Sequence, residues 1–386
     1  MSKLSENVVL FSQGAYGCIF MDDVTLSNKN EKPVYIKKVQ KRKETSDNEK
    51  DIGKNIKKIR NYGNYYAPIE ESSQIELSSN DSNEIKKCEF ITEEKKEFET
   101  NKIKFVGEHT LANYLNLLSK NENNSAIFFK VLLDTYTHLG EGINKLSQNN
   151  IVHMDLKENN IVYDEKKRQP IIIDFGLSKD VLKSDPKSTF FVYGPDYGPW
   201  CFDICLLTFL CNELGEDWEK KIIENIHLEK AVNDFLNENT GVKDLLNNEQ
   251  KELLKRNLYE EMGDYVNFEG KKVYDMVLKK NKTWDNYSLA VIFLYILKLM
   301  SNEIIENDEI IKKFKFILLE IMINNKNRYT AKETLDKLYN EFSSKNKKSI
   351  QELGNKFKPE FTPEKFNART ILLAETKIKA EENKKN

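Results

Sequence analysis

Two short segments constrain this chain more than any other part of it. His153-Met154-Asp155-Leu156-Lys157-Glu158-Asn159-Asn160 follows a long helical run. Asp174-Phe175-Gly176 begins 14 residues beyond Asn160 and closes a run of three isoleucines. The first places an acid, a lysine and an amide at fixed offsets in a loop. The second sets a carboxylate at the C-terminal end of a buried strand, released by a glycine. Transfer of a phosphoryl group to a hydroxyl needs these residue types: a carboxylate to orient the acceptor and take its proton, a cation for the moving charge, and oxygen ligands for a hard divalent ion. Asp155, Lys157, Asn160 and Asp174 supply them.

Two further segments precede these and are weaker alone. Ser12-Gln13-Gly14-Ala15-Tyr16-Gly17-Cys18-Ile19 lies between strand-like runs, and its glycines allow a hairpin backbone to approach phosphate oxygens. Val34-Tyr35-Ile36-Lys37 reads as a strand carrying an ammonium. Around them, the first third alternates β-rich pieces with polar loops, interrupted by a helical stretch over residues 48–60 whose Ile52, Ile56 and Ile59 share a face. From about Thr110 the pattern turns helical, beginning with a long amphipathic helix over 127–148. A small β-rich part before a larger α-rich part predicts an α+β chain of two lobes with a cleft between them.

At 386 residues the chain is long enough for one large unit or two fused ones. Lys+Arg is 60 against 62 Asp+Glu, a net charge of -2, which excludes polyanion or nucleic-acid binding driven by bulk charge. Five cysteines and an N-terminal segment without an apolar core point to a reducing, cytoplasmic compartment. Cys201, Cys205 and Cys211 sit in an apolar run without paired metal-ligand spacing and read as buried thiols. The longest apolar stretch, residues 288–300, is too short to span a bilayer. Residues 345–386 carry 11 Lys/Arg against 6 Glu, a basic, partly helical tail.

Taken together, the four motifs resemble the eukaryotic-type Ser/Thr protein kinase family. The resemblance runs from about Val8 to Leu338 and implies a bilobal fold: an N-lobe over 1–107 and a C-lobe over 108–344. It implies ATP as phosphoryl donor, Mg²⁺ or Mn²⁺ as metal, and protein serine and threonine hydroxyls as acceptors. Asp155 then becomes the catalytic base with Lys157 beside it, and Asn160 and Asp174 the metal ligands. Ser12, Gly14, Gly17 and Ile19 form the lid over the nucleotide. Lys37 grips its phosphates and pairs with a helix-borne glutamate, Glu49, with Lys38 behind Ile36 as the other register. Lys157 and Thr189 favour Ser/Thr acceptors, Thr189 bridging Asp155 and Lys157. Gly194-Pro195-Asp196 stands for the family's Ala-Pro-Glu, with Arg328 pairing to Asp196. Asp285, in Trp284-Asp285-Asn286-Tyr287-Ser288-Leu289-Ala290, starts the central C-lobe helix, and His153 packs beneath Phe175.

The departures carry information of their own. Met154 replaces the arginine that clamps an activation-loop phosphate, so gating by phosphorylation along that route is not expected. Asp196 and Asp285 lie 89 positions apart, far beyond the family's short spacing, which implies a mostly helical insertion over about 200–283. That insertion and the tail are the two candidate surfaces for a partner. The runs IGKNIKKIRNYGNYYAPI and VYGPDYGPWCFDI, with the Asn/Lys-rich composition, are most similar to protein kinases of large cytoplasmic DNA viruses, with a free-living protist as the competing source; a viral chain would act in host cytoplasm or virion. A scaffold that has lost catalysis, and a small-molecule kinase sharing the His-x-Asp motif, are the competing classes.

Overall fold

Short runs rich in β-branched and aromatic residues, separated by polar stretches, build the strands of the N-terminal third. The computed structural model describes residues 8–14, 17–22, 35–41, 44–120, 125–164, 166–183, 185–299 and 309–342. Its first sheet has five antiparallel strands: β1 (Val8–Gly14), β2 (Gly17–Asp22), β3 (Tyr35–Gln40), β4 (Ile69–Leu77) and β5 (Lys96–Lys104). The order across it is β1-β2-β3-β5-β4. Gly14 pairs with Gly17 at the tip of the first hairpin, and Ser12 lies opposite Ile19. A Cβ on Gly17 would fall 2.2 Å from the Val39 carbonyl oxygen, so only glycine lets β2 lie this close to β3.

Between β3 and β4 runs α1 (Glu44–Ile56), which starts earlier and ends earlier than the periodicity suggests. Its apolar face behaves as expected, with Ile52, Ile56 and, just past the helix, Ile59 all buried. A short helix, α2 (Asn83–Lys86), packs against β1.

The rest is helical apart from small ribbons: β6 (His109–Thr110), β8 (Ile161–Asp164) and β9 (Gln169–Ile172) form one, and β7 (Ile151–Val152) pairs with β10 (Lys179–Asp180). After α3 (Leu111–Lys120) comes α4 (Ser125–Gln148), the long amphipathic helix of the sequence reading. The apolar stretch near residue 290 is α11 (Trp284–Lys298), buried nearly all round and packed against α4 and α12 (Glu309–Ile323). The helix α13 (Ala331–Phe342) closes over α4. Among the described residues no helix is long and apolar enough to cross a membrane.

The stretch that the sequence reading takes as inserted, about 200–283, holds five helices: α6 (Phe202–Glu213), α7 (Asn225–Glu238), α8 (Thr240–Leu245), α9 (Asn248–Met262) and α10 (Gly270–Leu278). They share one apolar core with α4 and α11, so they thicken the C-lobe and do not form a separate module. The basic tail lies outside the described residues.

The cysteines correct one expectation. Cys201, Cys205 and Cys211 are free and buried, and burial pushes the Cys201 and Cys211 thiols up to about 12, where they are inert. Cys18 and Cys88, in contrast, form a disulfide. The odd count hides this pair, because 70 residues separate the two and only the packing of α2 beside the first hairpin brings them together. The bond runs against the reducing-compartment reading. Closing a loop of 70 residues should stabilise the chain by about 4 kcal/mol on chain-entropy grounds. We expect a reducing agent to lower the denaturant midpoint accordingly; an unmoved midpoint would mean that the two sulfurs are not joined.

Candidate active site

The β3 strand alternates. Tyr35 and Lys37 share one face and Ile36 and Lys38 the other. Ile36 packs on the cluster of Ala67, Ile69, Ile103 and Ile171 between the lobes, so the second face is the inner one. Lys38 therefore enters the cleft. Its Nζ lies 3.2 Å from Glu49 Oε2 on α1 and 3.0 Å from Asp174 Oδ1 just past β9. Burial opposes the Lys38 ammonium, but the Asp174 and Glu49 carboxylates outweigh it and hold its pKa above the ordinary lysine value. The expectation for Lys37 is thus corrected by one position, to the other register weighed from the sequence. Lys37 lies opposite Phe20 and Lys102 in the sheet, and the Lys102 ammonium covers the exposed Tyr35 ring.

Glu49 is where the sequence placed it, on a helix and buried. Asp174 takes a left-handed backbone, φ 61, a conformation that a non-glycine residue adopts at some cost. The ion pair with Lys38 holds it there.

The His153–Asn160 loop is braced from below. Asp285, in the first turn of α11, accepts from the backbone N–H of His153 at 2.8 Å and of Met154 at 3.3 Å. Burial pushes its carboxyl up, and these donors pull in the opposite direction. Met154 is itself left-handed, φ 66. The Asp155 N–H donates to His153 Nδ1 at 3.3 Å, which puts the ring proton on Nε2, aimed at the Ile173 carbonyl 3.1 Å away. The imidazole stands 5.1 Å from the Phe175 ring, centroid to centroid. His153 therefore ties the two motifs together as architecture.

Asp155 is buried, yet its carboxylate is well supplied with donors. Asn160 Nδ2 donates to Oδ2 at 2.9 Å and to the Asp155 carbonyl at 2.8 Å. Lys157 Nζ lies 3.3 Å from Oδ1. With its amide nitrogen engaged, Asn160 keeps its side-chain oxygen as an acceptor. Asn160 and Asp174 thus provide two hard oxygen donors, and no cluster of three or more His, Cys, Asp or Glu suited to a metal occurs among the described residues. Two protein ligands fit Mg²⁺, which keeps waters and takes phosphate oxygens in preference to an all-protein cage.

Two expectations about this loop's surroundings fail. Thr189, on the single turn α5 (Pro186–Thr189), is buried, and its hydroxyl has no hydrogen-bond partner among the described residues. The hydroxyl that reaches Asp155 Oδ1 belongs to Tyr197. Arg328 likewise passes over Asp196 for Asp203, on the first turn of α6, with Nη1 2.7 Å from Oδ2 and both groups buried. Asn325 bridges Asp203 to Glu261 at 2.9 and 2.7 Å, and Lys280 joins Glu261. The insertion thus supplies much of a buried polar network that the sequence motifs did not show. No signal in the sequence marks Tyr197, whose contact with Asp155 joins residues 42 positions apart.

With this geometry in place the comparisons become informative. Residues 8–199 match the family model for the protein kinase domain. Over those residues, about half of its length, the chain is similar to the protein kinase domain. The two-lobed fold, with its antiparallel N-terminal sheet and helical C-terminal region, is the kinase fold, as the sequence implied. Among solved structures the chain is similar to the autoinhibited serine kinase domain of the giant muscle protein titin, at 15% identity and a TM-score of 0.41, covering 92% of this chain and 87% of that one. No curated protein matches the chain.

Breaking a buried ion pair from one side leaves an uncompensated charge, at a cost of about 3–5 kcal/mol. We therefore expect Asp203→Ala to destabilise the protein by that amount in chemical denaturation. Asp196→Ala should cost much less, and equal losses would return the pairing to Asp196.

Proposed function

We propose that the chain is an active protein kinase that transfers the γ-phosphoryl group of ATP to serine and threonine hydroxyls of proteins. The observation that carries this reading is the three-way contact of Lys38 with Glu49 and Asp174, which aligns the N-lobe with Asp155 and Asn160 of the C-lobe. A scaffold that has lost catalysis would be expected to lack one of these five groups, and all are present.

Each residue then has a task. Lys38 presents a cation, held charged by its two carboxylates, to the donor's phosphates. The hairpin with Ser12, Gly14, Gly17 and Ile19 lies over them, where backbone N–H groups can approach closely. Asn160 and Asp174 would hold Mg²⁺, whose contribution when bound is to neutralise phosphate charge. Asp155 orients the acceptor hydroxyl and takes its proton, and Lys157 offsets the charge of the moving group. Catalysis is therefore mostly positioning and charge neutralisation.

Ser/Thr acceptors are supported by Lys157 beside Asp155, with Thr189 no longer contributing. The segments 194–200 and 285–288 support a polypeptide acceptor over a small molecule, because they build a braced platform beside Asp155. Likeness to kinases of large cytoplasmic DNA viruses supports a setting in an infected cell or virion, and the Cys18–Cys88 disulfide favours the more oxidising of these.

Asp155→Ala should lower transfer of radiolabelled γ-phosphate to a generic protein such as casein by about a hundred- to ten-thousandfold, and Asp174→Ala should abolish it. Lys38→Ala should cripple ATP use while Lys37→Ala leaves it near wild type. Undiminished labelling by Asp155→Ala and Asp174→Ala would overturn the proposal.

A further inference from the structure

The hydroxyl of Tyr197 donates to Oδ1 of Asp155, the same oxygen that Lys157 approaches. Tyr197 is buried, and its ring meets Trp200 edge to face with centroids 5.2 Å apart. Trp200 in turn donates from Nε1 to the Met154 carbonyl at 2.8 Å, one residue before Asp155. Phenol and indole thus grip the catalytic loop from the same side.

Segment 194–200, which bears both rings, is held from behind by the insertion. Asn239, fully buried between α7 and α8, has its Nδ2 3.2 Å from the Pro195 carbonyl, 3.0 Å from that of Tyr197 and 3.3 Å from that of Trp200. Its Oδ1 accepts from the Val242 N–H at 3.1 Å, which fixes the amide's orientation. From the other side Ser288 on α11 donates to the Pro199 carbonyl at 2.7 Å. Gly198 and Gly241 meet where neither could carry a side chain: a Cβ on Gly198 would lie 2.5 Å from Thr240 Oγ1. Nothing in this bracing is a charged clamp that a phosphate would complete, consistent with Met154 in place of an arginine.

We infer that Tyr197 is a positioning residue for Asp155, held in place by the insertion through Asn239. This rests on the kinase reading and deepens it. The phenol steers the carboxylate toward the acceptor hydroxyl, and the loop is set by neutral hydrogen bonds with no phosphorylation step. The insertion is then part of the catalytic architecture.

Two measurements on the full chain test this. In kinetics, Tyr197→Phe keeps the ring and removes the donor, so kcat should fall about tenfold, the loss of one hydrogen bond to a charged group, with KM for ATP unchanged. Asn239→Ser, too short to reach the three carbonyls, should move kcat in the same direction. In NMR with ¹³C at tyrosine Cζ, the Tyr197 resonance is assigned by its loss in Tyr197→Phe and should shift in Asp155→Asn, whether or not the chain turns over. An unmoved resonance overturns the contact. A Tyr197→Phe enzyme as fast as wild type, or faster, overturns the positioning role. Full activity in Asn239→Ser overturns the part assigned to the insertion. A wild type that transfers no label overturns the kinase reading, and the positioning role with it, even where the resonance shifts.

Discussion

A single ammonium group relates the three parts of this molecule that must agree. Lys38 comes from the middle of the first sheet, Glu49 from the helix packed beside it, and Asp174 from the C-lobe. Glu49 is buried and Lys38 nearly so, and neither could be held there alone at tolerable cost, since a lone charge in a low-dielectric setting is expelled or neutralised. Together they satisfy one another, so the sheet, α1 and the strand end after β9 are fixed by one contact. A similar logic explains the backbone. Asp174 and Met154 both hold left-handed conformations, φ 61 and 66, and each is retained by a charged group: Lys38 for the first, the Asp285 carboxylate for the second. Local strain at the site is offset by electrostatic contacts a few ångströms away.

Most of this was legible because it lies in contiguous motifs. The loop of Asp155, Lys157 and Asn160 and the Asp174-Phe175-Gly176 turn are each recorded by residues close in sequence, whereas the bracing of His153 and Met154 by Asp285, more than 130 positions away, is not. The fold class followed from the change in periodicity near residue 110. Register was harder. In Tyr35-Ile36-Lys37-Lys38-Val39 the apolar residues occur at both parities, so alternation alone cannot say which lysine faces inward. The packing of Ile36 between the lobes decides it, and that is a tertiary fact.

Partnerships across the insertion were not legible. Thr189 and Asp196 stand at the spacings the family resemblance suggests, yet Tyr197 and Asp203 perform the contacts. Asn239, between α7 and α8, lies against segment 194–200, and a side chain eight positions beyond Thr189 is the one that reaches Asp155. Spacing rules assume constant surroundings; here the surroundings had changed. The Cys18–Cys88 bond was hidden for a related reason, because partners 70 residues apart are chosen by packing.

The meeting of Gly198 with Gly241 has a bearing on modularity. At this point two backbones meet with no side chain between them, and a Cβ on either glycine would clash with the other segment. The usual idea of an insertion, a decoration that can be trimmed to recover an ancestral core, does not describe residues 200–283. Excising them would uncover the back of the segment that lines the catalytic loop and strand Arg328 without its acid. What looks in sequence like an added part is, in three dimensions, packed directly behind the segment that contacts the His153–Asn160 loop.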